Sequence, residues 1–116
     1  MNIEIVREKI TPERVREHAQ ATFVDMVKVV VDIGRGIFAI GGELHSDAEA
    51  VLLEDGSQQS DLWGANIIID APPVENIEYN SLINIRPSQG NRSRDIQDPG
   101  VRDRVLAVLS RFTGMV

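Results

Sequence analysis

Cysteine is absent from this 116-residue chain, which excludes disulfides, thiol nucleophiles and thiolate metal sites together and leaves cytosolic residence as the default reading. No apolar run approaches the roughly 20 residues that a membrane-spanning helix needs, and the opening Met1–Arg7 lacks the basic-then-apolar pattern of a signal peptide. Positive charge is also missing over a long stretch: between Arg35 and Arg86 there is no Lys or Arg, against nine carboxylates. The whole chain carries a net charge of −6, which argues against general nucleic-acid binding, an affinity built mainly on neutralised phosphates. The charge is unevenly placed. Residues 86–116 hold six arginines and three acids, so an acidic body carries a basic C-terminal segment.

What is present reads as one domain spanning residues 1–116, a length able to bury a core of its own. Glu4–Lys9 reads as a short edge strand. Thr11-Pro12-Glu13 supplies a cap, a proline at the first helical position and an acidic first turn, predicting a helix to about Phe23. From Met26 the apolar period changes from helical to two, so Val27–Ile33 reads as a strand; Gly34-Arg35-Gly36 turns it into a second strand, Ile37–Ile40. Ser46-Asp47-Ala48-Glu49 matches a capping box, predicting a helix from Asp47 to Glu54. Leu62–Ile69, Ile77–Tyr79 and Leu82–Arg86 read as further strands. Asp98-Pro99 opens a closing helix striped with Val101, Val105, Val108, Leu109 and Phe112. The sum is an α+β fold, a mostly antiparallel sheet with helices packed on one face. Trp63, the single tryptophan, is expected in its core.

The densest polar stretch, Ser88-Gln89-Gly90-Asn91-Arg92-Ser93-Arg94, follows directly on the last predicted strand. In an extended segment Asn84 and Arg86 share a face, so Arg86 would point toward whatever the loop encloses. Arg86, Arg92 and Arg94 then form a clamp for a phosphate or carboxylate, with Ser88, Ser93, Asn84 and Asn91 orienting it. The plain alternative is that these arginines pair with carboxylates of the acidic body, within one chain or across a dimer. Asp98 already occupies the amides at the start of the last helix, which weighs against a phosphate there.

Glu43, His45, Asp47 and Glu49 fall at every second position. They would form a metal-ligating row only if the segment were extended, and the predicted helix start breaks the row, so no metal is expected and no cofactor motif is present. His45 with Glu43 remains the candidate acid–base pair, because an imidazole beside a carboxylate is readily tuned to neutral pH.

Three segments taken together, Gly41–Glu49 with Glu54–Ser57, Asp61–Asn66, and Ser81–Pro87 with Gly90–Ser93, resemble a family of short prokaryotic proteins catalogued only as a domain of unknown function. The resemblance spans most of the chain and implies a single complete domain; it carries no activity, cofactor or partner onto these positions. Three functional readings therefore stand on the residues. The first is binding of an anionic group, phosphate or carboxylate, on a small molecule, a nucleotide or a partner through the Arg86–Arg94 loop. The second is a self-associating protein, a homo-oligomer whose basic segment meets the acidic Glu43–Asp61 stretch of another copy. The third is a hydrolase-type enzyme using His45 and Glu43.

Overall fold

Each predicted helix start sits where local chemistry placed it, with one exception. In the computed structural model, which describes residues 2–116, the short edge strand β1 (Glu4–Val6) leads to α1 (Pro12–Gln20), where the Thr11 hydroxyl accepts from Arg14 N at 3.1 Å. The helix ends three residues before Phe23. A hairpin of β2 (Met26–Asp32) and β3 (Ile37–Ile40) follows. Buried Asp32 fastens its turn by accepting from Gly34 N and Arg35 N, both at 2.9 Å, and from the Ser57 hydroxyl at 2.6 Å.

The exception is α2, which spans His45–Glu54. The expected capping box does not form: Leu44 holds the cap position without a side-chain bond, and Ser46 lies inside the first turn. The cause is His45, whose imidazole is buried and donates from Nε2 to Ala65 O at 2.8 Å. Anchoring that ring to the sheet sets the helix start two residues earlier than the box alone would.

The strand β4 (Leu62–Ile68) pairs with β2, and the two-residue β5 (Ile77–Glu78) pairs with β4. All five strands are antiparallel, in the order β1-β3-β2-β4-β5. The last helix, α3 (Pro99–Thr113), is capped by Asp98, which accepts from Gly100 N at 2.8 Å. The α+β class and the antiparallel sheet stand as expected. Alternation along the strands divides the core in two. Val29, Val31, Phe38, Ile40, Trp63 and Ala65 pack under α1 and α3, while Val30, Ile37, Ala39 and Leu62 pack under Ala48 and Leu52 of α2. The expected placement of the helices on one face is corrected: α1 and α3 share one face, and α2 covers part of the other, where Val30, Ile37, Ala39 and Leu62 form a second apolar surface. No helix among the described residues is long and apolar enough to cross a membrane.

The strand predicted over Leu82–Arg86 is not there. Leu82–Asn84 is a single 3-10 turn, and β4 takes β5 as its neighbour instead. The run is apolar enough for a strand but holds Asn84 at its centre, and that side chain does what a strand backbone would have done. The Asn84 amide accepts from Gly64 N at 2.8 Å and donates to Gly64 O at 3.0 Å. Gly64 is required because Ser81 lies against it: a Cβ at position 64 would stand 2.5 Å from the Ser81 Cβ. Gly64→Ala is therefore expected to destabilise the fold by about 2 kcal/mol through overpacking, and Ser81→Gly in the same chain should recover part of that loss in chemical denaturation. Equal stability of Gly64→Ala and wild type would show that the two segments separate freely.

Candidate functional site

Losing the last strand redirects the residues that the polar loop was expected to bring together. Arg86 does not face a cavity. It is 9% exposed, and its guanidinium donates inward, from Nε to Ile83 O at 3.0 Å, from Nη1 to Gln59 O at 2.8 Å and to Gln89 Oε1 at 3.3 Å, and from Nη2 to Leu62 O. The guanidinium carbon lies 4.5 Å from the centre of the Trp63 ring, a cation–π contact. Burial pushes the Arg86 guanidinium below its ordinary range, and the Glu49 carboxylate opposes the shift. This arginine ties the loop to the start of β4.

Asn91 is likewise internal. Its amide donates to Asn84 O, Ser93 O and Asp95 O at 2.8 to 3.0 Å, and its oxygen accepts from Gln97 N. A two-way backbone bridge between Arg86 and Asn91 closes the segment. Between them Pro87–Gln89 forms a 3-10 turn, and Gly90 provides the left-handed residue that ends it, at φ 78°. The clamp expected from Arg86, Arg92, Arg94, Ser88, Ser93, Asn84 and Asn91 is thus corrected: Arg86, Asn84 and Asn91 face the protein, because buried donors and acceptors must be paired. Ser93 Oγ accepts from Asp95 N at 3.1 Å, while Ser88 and Arg92 are exposed side chains of the loop.

Arg94 is the arginine that reaches a pocket. Its backbone carbonyl is held by Ser81 N at 3.0 Å and by the Asn84 amide at 3.1 Å, and no side-chain partner is recorded for its guanidinium among the described residues. The pocket, about 270 Å³, lies on the α2 side of the sheet and is lined by Lys28, His45, Ser46, Asn66, Ser81 and Arg94, with Leu44, Leu82, Ile83 and Asn80 completing it. Sheet register builds its floor. Lys28 of β2 stands directly opposite Asn66 of β4, which stands opposite Glu78 of β5, so the three share one face. His45 enters from the first turn of α2.

The pocket chemistry follows from these placements. Burial pushes the His45 imidazole down to about 4; the bond to Ala65 O opposes this, Lys28 adds to it, and the Asn66 side chain opposes it in turn. At neutral pH the ring is therefore uncharged, with its proton on Nε2 and a lone pair on Nδ1. Two cations, Lys28 and Arg94, remain, and no carboxylate is among the ten lining residues. The neighbouring acids Glu78 and Asp95 engage the amides of Asn66 and Asn80, at 3.4 and 3.0 Å.

Glu43 does not join His45. It is exposed and lines a separate concavity with Asp47, so the acid–base pair suggested by their spacing is not assembled. The helical start at His45 also rules out the extended row of Glu43, His45, Asp47 and Glu49. A wider concavity of about 430 Å³ on the opposite face of the sheet, by Trp63, Gly90 and Gln97, has the Asp98 carboxylate in its wall and no cation. Lys28 and Ser81 escaped the sequence reading. The signal was a lysine in one β-branched strand and an asparagine in the middle of another, residues that neither strand needs unless they meet across the sheet. A family described as "Protein of unknown function (DUF5674)" matches residues 4–112. No curated protein and no solved structure matches the chain.

Proposed function

The chain belongs to this family, which brings no activity with it, and we propose from the geometry that the protein binds a small anionic molecule in the pocket between β2, β4 and α2, with Lys28 and Arg94 supplying the charge. One observation carries the reading: a protein of net charge −6 keeps a pocket with two cations and no carboxylate in its lining. Four other concavities on the molecule each include at least one Asp or Glu. A partly enclosed site strengthens charge-assisted hydrogen bonds, and the neutral His45 adds no competing charge. The hydroxyls of Ser46 and Ser81 supply orientation. The Asn84 side chain supports the site indirectly, by holding both Gly64 and the Arg94 carbonyl.

The test is titration calorimetry with inorganic phosphate, sulfate and small phosphate esters at 50 and 300 mM salt. Binding that weakens with salt is expected. Lys28→Gln and Arg94→Gln should each weaken it about tenfold or more, the worth of one charge-assisted hydrogen bond, while Arg92→Gln leaves it unchanged. Binding indifferent to both pocket substitutions would remove the reading.

A second reading rests on the charges outside the pocket. The recorded ion pairs all use cations of the N-terminal part, such as Arg7 and Arg35 on Asp55 at 2.6 and 2.8 Å. No arginine from Arg86 onward lies within ion-pair distance of a carboxylate among the described residues. This favours an acidic partner surface, a second copy included, against exposed Arg104 and Arg111 of α3. Sedimentation at low and high salt distinguishes the cases: a dimer that dissociates in salt supports self-association, and a monomer under both conditions removes it.

A further inference from the structure

The floor of the pocket specifies more than charge. The Asn66 side chain donates from Nδ2 to Glu78 Oε1 at 3.4 Å and to Asn80 O at 3.3 Å, which orients the amide and turns its oxygen the other way. That Oδ1 is buried and has no hydrogen-bond partner, in a residue 7% exposed. Buried acceptors are rarely left unpaired in folded proteins. His45, beside it in the lining, has Nε2 engaged with Ala65 O; a carbonyl only accepts, so Nε2 carries the proton and Nδ1 is an acceptor. The inner part of the pocket thus offers two acceptors, and its cations belong to the long side chains of Lys28 and Arg94.

Acceptors repel an anion's oxygens, so the anionic group belongs with the two cations and a different part of the ligand with the floor. We infer that the ligand is a small phosphorylated polyol, of the sugar-phosphate class, whose phosphate meets Lys28 and Arg94 and whose neutral hydroxyl donates to Asn66 Oδ1 or His45 Nδ1. The inference rests on the anion-binding reading and narrows it. Two cations without a lining carboxylate match the charge of a phosphate monoester, roughly −1.5 to −2 at neutral pH. A hydroxyl suits the floor better than an ammonium group, which Lys28 would repel. The size agrees: about 270 Å³ is the liquid volume of roughly nine waters, far more than a bare phosphate fills. Leu44, Leu82 and Ile83 supply apolar wall for a carbon skeleton, and Leu44 and Leu82, at 57% and 67% exposure, are surface side chains able to change rotamer and admit it.

The deciding experiment compares two probes on the wild-type protein by calorimetry at both salt concentrations: glycerol 3-phosphate, and propyl phosphate, which keeps the charge and three-carbon chain and lacks both hydroxyls. The expected result is salt-sensitive binding of both, with glycerol 3-phosphate at least tenfold tighter, because a site built to accept from a hydroxyl discriminates against its absence. Asn66→Leu should shrink the ratio toward one while phosphate binding persists; should that variant fold poorly, the wild-type ratio decides. Equal affinities, or tighter propyl phosphate, overturn the polyol inference and leave the anion site standing. If neither probe shows salt-sensitive binding, both readings are overturned.

Discussion

Arg86→Ala is expected to lower stability by about 3 kcal/mol, the scale of removing a buried charged group with several hydrogen bonds and leaving its partners unpaired. For a chain of this size that corresponds to a fall of roughly 10 °C in Tm, read by calorimetry or by a denaturant midpoint. The guanidinium bonds to the carbonyls of Gln59 and Leu62 at the entry to β4 and of Ile83 in the segment that precedes Arg86, and lies over Trp63. Its loss would orphan those carbonyls, and it would also leave the partly buried Glu49 carboxylate, whose Oε2 has no hydrogen-bond partner, without its compensating charge. Arg86→Lys should recover little, since one ammonium cannot reproduce a planar fork directed at several acceptors. Arg92→Gln, at an exposed side chain in the same loop, should stay within about 0.5 kcal/mol of wild type. Comparable losses at positions 86 and 92 would contradict the internal role of Arg86.

The second large effect is on acid stability. His45 titrates near 4 in the folded chain, against an ordinary value of 6.5. Between those values the unfolded chain takes up a proton that the folded chain refuses, so stability rises with pH across the interval. The contribution is fully present above about pH 6.5 and is lost as pH falls toward 4, amounting to about 3 kcal/mol at most. His45→Gln removes the titrating group, and its stability should decline less steeply over that window than that of wild type. Carboxylates titrating lower in the range are common to both proteins and cancel in the difference. Parallel profiles from pH 7 to 4 would show that the ring is not held neutral by the fold. The same neutrality matters to the pocket, where an imidazolium would no longer accept from a ligand hydroxyl at Nδ1.

Much of the architecture is local and was legible without coordinates. Thr11-Pro12 and Asp98-Pro99 carry their helix starts in two residues each, and the β2–β3 hairpin is written in strand alternation and a glycine-bearing turn. Where two local signals competed, the pattern misled. At α2 a capping box lost to the burial of His45, whose partner Ala65 O lies 20 residues away. At Leu82–Arg86 a β-like apolar run lost to one asparagine, because the Asn84 amide imitates a strand backbone once Gly64 is placed beside it.

The candidate site shows the same division. Residue order alone determined that an acidic chain without cysteine places three of its six late arginines at one polar loop, and that loop does border the pocket through Arg94. Which arginine turns outward was a matter of tertiary structure. Arg86 and Arg94 carry the same charge and sit eight residues apart; one finds three backbone carbonyls and an indole face within reach, the other a pocket shared with Lys28 and Asn66. Local periodicity assigns a residue to a face of its own element. Only the register between strands and the packing of α2 over them decided which polar groups meet, because those meetings depend on distances between segments far apart in the chain.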